Sequence, residues 1–535
     1  MALSEATLIN AGLQAGLLDA ETVARLRVST RARGQGLLDT LSRELKLPRS
    51  AFHIALAQMR GLPFLAAGEV EADLALLARL PASLQARTPV APVRLRQGGD
   101  YWVVADPEHL PAVEQAVRLT SQERQAALTE PEAIEAWLAA LPNTRLGKVA
   151  DPVTVFDQIL REAALRRASD VHLEWGRDAL SVRLRVDGLL QPFGVPLPRQ
   201  VGEALVSRFK VLSGLDIAES RLPQDGALRH ALAEAPDAAT EYRVASIPSK
   251  FGERITVRVM KTDGDVSSLD SLGMPEAMMA ALGSALRHPH GILLLTGPTG
   301  SGKSTTLYAA LREIDCTRLN VLTAEDPVEQ VLPGITQVQV GGKLTFVGAL
   351  RAFLRHDPDV ILVGEVRDAD TADMAMKAAT TGHMVLSSLH TNSAPGAVAR
   401  LADLGAERYM IAASLRGVIA QRLVRRLCPR CRQPEAADAG ERRLLGMAQE
   451  GGGTLYRPRG CAHCLNTGYR GRVGLFESLW LDAGLARSIA MGAGEAELVR
   501  LAGDAWYPLA ADARAKVLAG LTGLDEVRPY LMEFQ

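Results

Sequence analysis

The chain has 535 residues, of which 47% are hydrophobic and 23% charged; these proportions exclude a disordered chain, and the length predicts roughly three or four domains. Its formal net charge of −1 argues against a general binder of polyanions, because such proteins carry a surplus of basic residues. The sequence has no run of about 18 apolar residues and no secretory signal at its start, so we expect a cytoplasmic protein with at most a peripheral membrane role.

The first part of the sequence predicts two small units. Leucines recur at helical spacing at Leu8, Leu13 and Leu17, so residues 1–60 are predicted to form short helices. Residues 61–145 mix strand-like and helix-like segments, and we expect an N-terminal α/β domain there.

Residues 151–261 are predicted to form a further domain with a half-buried sheet. In SVRLRVDG (181–188) apolar residues alternate with charged ones, and RITVRVM (254–260) repeats this pattern of period two. Polar segments that flank this domain, 142–151 and 262–274, are predicted to be a linker and a hinge.

Residues 273–535 contain continuous apolar runs in place of alternating ones. These runs are ILLL (292–295), VILV (360–363) and MVLSSL (384–389), and helix-like stretches separate them. Continuous runs of this kind are typical of a parallel sheet that is buried on both faces. We therefore expect an α/β domain in this part of the chain.

A phosphate-binding motif lies between the first of these runs and a helix-like stretch. The segment from Gly297 to Ser304 fits GxxxxGK[ST], in which glycines let the backbone N–H groups wrap around phosphate oxygens. We expect Lys303 to reach the β- and γ-phosphates of ATP and the Ser304 hydroxyl to ligate Mg²⁺. The predicted nucleotide-binding residues are Gly297, Pro298, Thr299, Gly300, Ser301, Gly302, Lys303, Ser304 and Thr305.

Carboxylates follow two other predicted strands. Glu365 ends VILVGE, and we expect it to hold the magnesium shell, since a P-loop needs an acidic partner on a neighbouring strand. TAEDPVE (323–329) supplies Glu329, predicted to polarise the attacking water, and Glu325, predicted to support it. The alternative for each residue is an exposed acid at a strand end.

Two histidines stand at the ends of another predicted strand. His383 and His390 bracket MVLSSL, where an imidazole could hydrogen-bond a phosphate or orient a carboxylate. A sensing role toward the nucleotide and a purely structural role both remain open at this point.

Four of the five cysteines form two CxxC pairs. Cys428, Cys431, Cys461 and Cys464 have the arrangement of a structural zinc site, predicted to organise a module over residues 428–464. The alternatives are a redox pair or unligated cysteines. His463 is not expected to be a ligand because four sulfur atoms complete a tetrahedron.

An arginine-rich stretch surrounds the first cysteine pair. Two interpretations remain open: the arginines contact acidic phospholipid or an acidic protein surface, or they form a solvated face. The arginines are Arg422, Arg425, Arg426, Arg430 and Arg432.

Taken together, these motifs resemble the ATPases of type II secretion and type IV pilus assembly. The resemblance rests on GPTGSGKST (297–305), TAEDPVE (323–329), LRAFLRHDPDVILVGEVRD (350–368), TGHMVLSSLHTN (381–392) and AQRLVRRLCPRC (420–431), and it covers residues from about 150 to 535. It implies an α/β architecture: a RecA-like P-loop ATPase domain with a four-cysteine zinc insert, preceded by a smaller α/β (PAS-like) domain and an N-terminal α/β docking domain. It also implies a homohexameric ring that uses ATP, Mg²⁺ and Zn²⁺.

The resemblance further implies roles for arginines outside the P-loop. Arg243 and Arg258 match arginines that reach the nucleotide phosphates, where they would offset negative charge during hydrolysis. Arg351 and Arg355 match arginines that precede the magnesium-binding strand. The alternative for Arg243 and Arg258 is a solvated position on the polar face of a strand.

The leading functional prediction is an ATPase that drives pseudopilus or type IV pilus assembly at an inner-membrane platform. The alternative is a DNA-uptake or nucleic-acid translocating ATPase, which the near-neutral charge disfavours. Some related chains bind a cyclic dinucleotide at the N-terminus, but residues 1–60 carry no motif that predicts this. We therefore expect the N-terminal region to dock onto the membrane platform.

Overall fold

The computed structural model describes residues 4–33, 36–81, 84–85, 88–141, 151–231, 239–260, 268–448 and 453–532. The predicted linker lies outside these residues over 142–150, as does the predicted hinge over 262–267. The chain divides into two compact units. Unit 1 comprises residues 1–260 with 428–432 and 458–470, and unit 2 comprises residues 261–427, 433–457 and 471–535.

The N-terminal part of unit 1 contains the short helices that the leucine spacing predicts. They are α1 (Glu5–Gln14), α2 (Ala20–Arg33), α3 (Leu37–Glu44) and α4 (Arg49–Met59). The side chain of Ser4 caps α1 by accepting the N–H of Thr7, which satisfies one of the unpaired donors at the helix start. Most of α4 is buried, so this helix is the centre of the group.

A four-stranded sheet follows these helices. Its strands are β1 (Val70–Ala72), β2 (Val90–Leu95), β3 (Asp100–Val104) and β4 (Gln125–Leu128), in that spatial order. The helices of this part are α5 (Leu74–Leu77), α6 (Leu110–Thr120) and α7 (Pro131–Ala139). Only β3 and β4 pair in parallel, and the fully buried Trp102 of β3 joins the core that the sheet shares with α1–α4.

The second sheet of unit 1 has six antiparallel strands in the order β7-β6-β5-β10-β9-β8. They are β5 (Asp170–Trp175), β6 (Ala179–Val186), β7 (Leu189–Pro198), β8 (Gln224–His230), β9 (Thr240–Ser249) and β10 (Gly252–Val259), accompanied by α8 (Pro152–Leu165) and α9 (Arg199–Leu212). Phe156 and Phe209 of the two helices are buried against one face of the sheet. Alternation along β6 and β10 leaves the other face charged, as the period-two pattern predicts.

Unit 2 is organised around an eight-stranded sheet in the order β13-β12-β14-β15-β11-β16-β19-β20. The strands are β11 (Gly291–Thr296), β12 (Val321–Glu325), β13 (Thr336–Gln339), β14 (Val360–Val363), β15 (Met384–Leu389), β16 (Leu415–Leu427), β19 (Tyr469–Trp480) and β20 (Trp506–Tyr507). The six strands from β13 to β16 pair in parallel. Ile292 and Leu294 of β11 enter one core and Leu293 and Leu295 another, so the strand is buried on both faces as predicted.

Eleven described helices belong to the C-terminal part of the chain, together with a small two-stranded sheet. The helices are α10 (Glu276–Leu286), α11 (Lys303–Arg312), α12 (Phe346–Phe353), α13 (Ala369–Thr380), α14 (Gly396–Asp403), α15 (Arg408–Ser414), α16 (Ala439–Leu445), α17 (Ala483–Ala490), α18 (Glu495–Ala502), α19 (Leu509–Leu518) and α20 (Leu524–Met532). The two strands are β17 (Gln433–Ala436) and β18 (Thr454–Arg457). Of the helices that the structure describes, none is both long enough and apolar enough to span a bilayer.

Candidate nucleotide and metal sites

The parallel strands of unit 2 bring most of the predicted nucleotide residues to one edge of the sheet. Thr296, the last residue of β11, pairs with Leu389 of β15 and with Ala420 of β16. The first P-loop residue, Gly297, therefore follows β11 at the same level as His390 and the residue after Ala420. Carboxyl ends of parallel strands are the usual position of ligand sites in open α/β sheets.

The P-loop backbone has a shape that requires glycine. Gly297, Gly300 and Gly302 have φ angles of 144°, 78° and 90°, which L side chains rarely adopt. A Cβ atom on Gly297 would lie 2.4 Å from the carbonyl oxygen of Gln421, and a Cβ atom on Gly302 would lie 2.8 Å from Nε2 of Gln421. Both distances are too short for a side chain at these positions. The loop is a backbone cradle at the start of α11, and it fits the phosphate chain of a nucleotide.

Lys303 is held at this loop by backbone carbonyls. Its Nζ donates to the carbonyl oxygens of Gly297 (2.7 Å) and Pro298 (3.1 Å). Burial lowers the pKa of Lys303, the charge of Glu365 raises it, and the charge of Arg422 lowers it. Within the part of the chain that the structure describes, the buried hydroxyl of Ser301 has no hydrogen-bond partner. A ligand with acceptor oxygens fits a lysine and a hydroxyl placed in this way.

Glu365 lies at the same edge, immediately beyond β14. Its carboxylate pairs with Arg367 and lies 3.4 Å from Nε2 of His390. Arg367 was not among the predicted site residues, although it stands only two positions after Glu365. The charge of Glu365 raises the pKa of Lys303, and its position after β14, at the same sheet edge as the P-loop, suits a magnesium partner.

Glu325 is buried at the end of β12, and its carboxylate is engaged by three side chains. It accepts hydrogen bonds from the hydroxyls of Tyr308 and Thr323 and from Nε2 of Gln337, the last at 3.0 Å. Burial raises the pKa of Tyr308, and its hydrogen bond to Glu325 raises it further. A carboxylate with its oxygens bound in this way is placed to anchor the site.

The loop after β12 carries Glu329 on the surface. Its backbone N–H donates to the phenolic oxygen of Tyr308 at 3.1 Å, whereas its side chain is exposed. Tyr308 therefore connects the anchored Glu325 to the segment that presents Glu329.

The two histidines occupy opposite edges of the sheet. His390 follows β15 at the edge that carries the P-loop and contacts Glu365. His383 precedes β15, level with the start of β11, because Met384 pairs with Gly291. Its Nδ1 lies 3.0 Å from the carbonyl oxygen of Ala378. This position does not support the prediction that His383 contacts the nucleotide, because the length of β11 separates it from the P-loop.

The four predicted arginines lie in different elements. Arg351 belongs to α12 and Arg355 follows it; both are exposed, and Nη1 of Arg355 donates to the carbonyl oxygen of Arg351 at 2.8 Å. Arg243 and Arg258 belong to unit 1, where they are cross-strand partners on the charged face of the six-stranded sheet. Arg258 pairs with Asp170 at 3.2 Å.

Two residues at the P-loop were missed as site residues. Gln421 is buried, and its Oε1 accepts the hydroxyl of Thr306 at 2.8 Å. Arg422 donates through Nη2 to the carbonyl oxygen of Asn392 at 2.8 Å, and a Cβ atom on Gly297 would meet its Nη1 at 3.1 Å. Parallel pairing of β11 with the AQRLV segment is the signal that could have identified both residues.

The remaining arginines of the predicted basic cluster differ in their surroundings. Arg425 pairs with Glu526 at 2.6 Å, and Arg430 donates to the carbonyl oxygen of Gly16. Arg426 is exposed. Arg425 and Arg430 therefore have different structural partners, and the contact with phospholipid stays a prediction.

The four cysteines of the CxxC pairs form one cluster. The Sγ–Sγ distances are 3.9 Å for Cys428–Cys461 and 3.7 Å for both Cys431–Cys464 and Cys461–Cys464. A tetrahedron with zinc–sulfur bonds of about 2.3 Å has edges of roughly 3.8 Å, so the donor set fits Zn²⁺. Residues 428–432 and 458–470 belong to unit 1, whereas the sequence prediction included them in the ATPase domain.

The fifth cysteine stands apart. Cys316 packs against a hydrophobic core of unit 2, and burial raises the pKa of its thiol. Cys316 is therefore a packing residue of this core.

Comparison with known proteins gives two family matches. Residues 148–529 match the model of the type II/IV secretion system protein family, and residues 60–148 match the MshEN domain. Type II secretion system protein E of Klebsiella pneumoniae is 46% identical over 377 residues, covering 70% of this chain and 75% of that protein. The type IV pilus assembly ATPase PilB of Thermus thermophilus is 36% identical over 531 residues, covering 92% of this chain and 59% of that protein.

A solved structure supports the fold. The Legionella pneumophila ATPase DotB superposes with a TM-score of 0.54 at 23% sequence identity, covering 72% of this chain and 97% of that chain. At this identity the likeness establishes a shared α/β fold and no more.

Proposed function

The chain belongs to the type II/IV secretion system protein family, and from that premise we propose that it hydrolyses ATP to drive pseudopilus or type IV pilus assembly. The observation that carries the proposal is the sheet edge at which the P-loop, Glu365, His390 and Arg422 converge. Such an edge binds a triphosphate and orders water beside it.

We assign a separate role in ATP hydrolysis to each residue at this edge. The P-loop N–H groups and Lys303 bind phosphate oxygens and offset their negative charge, while Ser304 and Glu365 would hold Mg²⁺. When bound, Mg²⁺ supplies Lewis-acid polarisation of the phosphoryl oxygens. Glu329 orients and deprotonates the attacking water, and its exposed carboxylate is available for this role. Glu325 keeps the loop of Glu329 in place through Tyr308.

Four arginines outside the P-loop would offset negative charge on the nucleotide phosphates. Arg243 and Arg258 stand side by side on adjacent strands, and Asp170, which pairs with Arg258 at 3.2 Å, offsets part of their positive charge. We propose that they bind the nucleotide phosphates and that Arg351 and Arg355 assist them. The homohexameric state that the family resemblance implies is part of the proposal.

We propose that the rest of the chain connects the ATPase domain to the secretion or pilus apparatus. Residues 61–145, which lie within the MshEN match, would form the docking domain, and residues 151–261 the PAS-like domain. The partners would be inner-membrane platform proteins, with the ATPase bound peripherally at the membrane. The four cysteines would hold a structural Zn²⁺, because four sulfur ligands leave no open coordination position.

ATP turnover by the purified chain tests whether the ATPase acts with a protein apparatus or with nucleic acid. ATP turnover is measured with magnesium and zinc, alone, with single-stranded DNA, and with the cytoplasmic domains of the secretion or pilus proteins encoded beside its gene. We expect stimulation by a protein domain and none by DNA. Stimulation by DNA alone would favour the nucleic-acid translocating alternative.

A further inference from the structure

The loops that carry the four cysteines pack against the N-terminal helices of unit 1. Ala462, between the cysteines of the second pair, is 1% exposed and belongs to a core whose other fully buried members all lie between Leu8 and Leu141. Leu465, directly after Cys464, packs against the same core. The cysteine loops therefore supply apolar side chains to a core that is more than 300 residues distant along the chain.

Two polar contacts flank these apolar ones. Arg430, inside the first cysteine pair, donates to the carbonyl oxygen of Gly16 in the turn between α1 and α2. Nε2 of Gln58 in α4 donates to Oδ1 of Asn466 at 3.3 Å. Each contacting residue of the cysteine loops lies inside a CxxC pair or within two positions of one.

The shape of these loops depends on the sulfur atoms. Leu465 and Asn466 have φ angles of 52° and 63°, a strained conformation for residues other than glycine. The N–H groups of Cys461 and Gly468 donate to Sγ of Cys464 at 3.2 Å and 3.3 Å, which orients the turn around that atom. Four thiolates within 4.8 Å of one another repel, so a cation between them stabilises this arrangement. A metal held by these sulfur atoms would therefore stabilise the surface that meets α4.

We propose that the zinc-loaded cysteine loops are the docking site of this chain's own helices α1–α4, and that loss of the metal releases these helices. Zinc then does more than fold its own small module, because its binding free energy also holds the N-terminal helices in place. The proposal does not depend on ATP hydrolysis.

Hydrogen exchange of the full-length chain tests this proposal. Zinc is removed with dipicolinate, its loss is verified by elemental analysis, and amide exchange is followed in peptides from α1, from α4 and, as a control, from α13 of unit 2. We expect exchange in α1 and α4 to accelerate on the order of tenfold or more, with exchange in α13 unchanged. Unchanged exchange in α1 and α4 after verified zinc loss would overturn the proposal.

Variants separate docking from metal binding. Ala462→Arg keeps all four cysteines and places a large charged side chain in the interface, so it should retain zinc and still show faster exchange in α4. The matched control is Ala439→Arg, at an exposed position between the cysteine pairs, which should exchange as the unaltered chain does. Normal protection of α4 in zinc-loaded Ala462→Arg would contradict the proposed interface.

A milder variant serves if Ala462→Arg fails to retain zinc. Arg430→Ala removes only the hydrogen bond to Gly16, so it should speed exchange around the turn between α1 and α2 while zinc content stays complete. No change at that turn would contradict the role of the first cysteine pair in docking.

Discussion

Tyr308 of the P-loop helix donates its phenolic hydrogen to the buried carboxylate of Glu325, so the helix that follows the P-loop is tied to the end of β12. The same phenolic oxygen accepts the backbone N–H of Glu329 at 3.1 Å. One side chain thereby sets the position of two acids that the sequence assigns to the attacking water. The arrangement makes Tyr308 a positioning residue of the site.

Tyr308→Phe tests this positioning role. The substitution leaves a buried carboxylate oxygen and the N–H of Glu329 without their partner, a loss of about 1–3 kcal/mol. We expect kcat for ATP to fall by about tenfold or more while KM changes little, because the P-loop itself is intact. Steady-state kinetics of the purified variant measure both constants.

Tyr409→Phe is the matched control, since it removes a phenolic hydroxyl from a side chain in unit 2 that is 62% exposed. It should leave both constants unchanged. Equal kcat values for Tyr308→Phe and Tyr409→Phe would show that the phenol does not position the site.

Glu365→Gln tests the magnesium assignment. Loss of the charge should lower kcat by about 100-fold or more and raise the magnesium concentration needed for half-maximal turnover. Turnover is measured as a function of magnesium concentration, with Glu407→Gln, an exposed acid in the same unit, as control. A magnesium dependence identical to that of the unaltered chain would remove Glu365 from the metal site.

Arg422→Ala tests a residue that the sequence did not assign to the nucleotide. Its guanidinium lies beside Gly297 and its charge lowers the pKa of Lys303, so it should attract the phosphates. We expect KM for ATP to rise by about tenfold, the size of a charge-assisted hydrogen bond. Arg426→Ala, which alters an exposed arginine of the same strand, should have no effect. Equal KM values for both variants would place Arg422 outside the site.

Glu130 should make the stability of unit 1 depend on pH. Burial raises the pKa of this carboxyl to about 7 in the folded chain, from 4.5 in the unfolded chain. Its stabilising contribution is therefore complete below pH 4.5 and is lost as the pH rises through about 7. Glu130→Gln cannot ionise, so it should gain stability relative to the unaltered chain between pH 5 and pH 8.

Urea unfolding of both chains at the two pH values measures this difference when it is followed by hydrogen exchange of peptides from β3, the strand that carries the buried Trp102. The relative stability of the variant should increase at the higher pH. The same difference at pH 5 and pH 8 would show that the carboxyl is not perturbed by burial.

The strands that carry the candidate nucleotide residues could be predicted from the sequence because a continuous apolar run is a local signal. Continuous apolar runs identified β11, β14 and β15, and parallel pairing alone brings Gly297, Glu365 and His390 together. His383 and His390 were predicted together because they bracket one strand. Since His383 precedes β15 and His390 follows it, the two histidines lie at opposite edges of the sheet.

Other features depended on tertiary contacts that no local pattern reports. Arg422 sits in an arginine-rich stretch, and only the register of β16 against β11 identifies it as the one beside the P-loop. The carboxylate of Glu325 accepts hydrogen bonds from Tyr308, Thr323 and Gln337. Tyr308 and Gln337 lie outside the TAEDPVE segment, so that segment alone could not predict these bonds. Packing of Ala462 among the N-terminal helices joins segments far apart in the chain and is equally invisible in sequence.

Magnesium-dependent ATP hydrolysis by the zinc-loaded full-length chain tests the central claim most directly, with Lys303→Ala compared against Lys343→Ala. Lys303 is held at the P-loop carbonyls, whereas Lys343 is an exposed lysine of the same unit. The account predicts phosphate release by the unaltered chain and by Lys343→Ala, and a loss of about 1,000-fold or more in Lys303→Ala. Equal turnover in the two variants would contradict it.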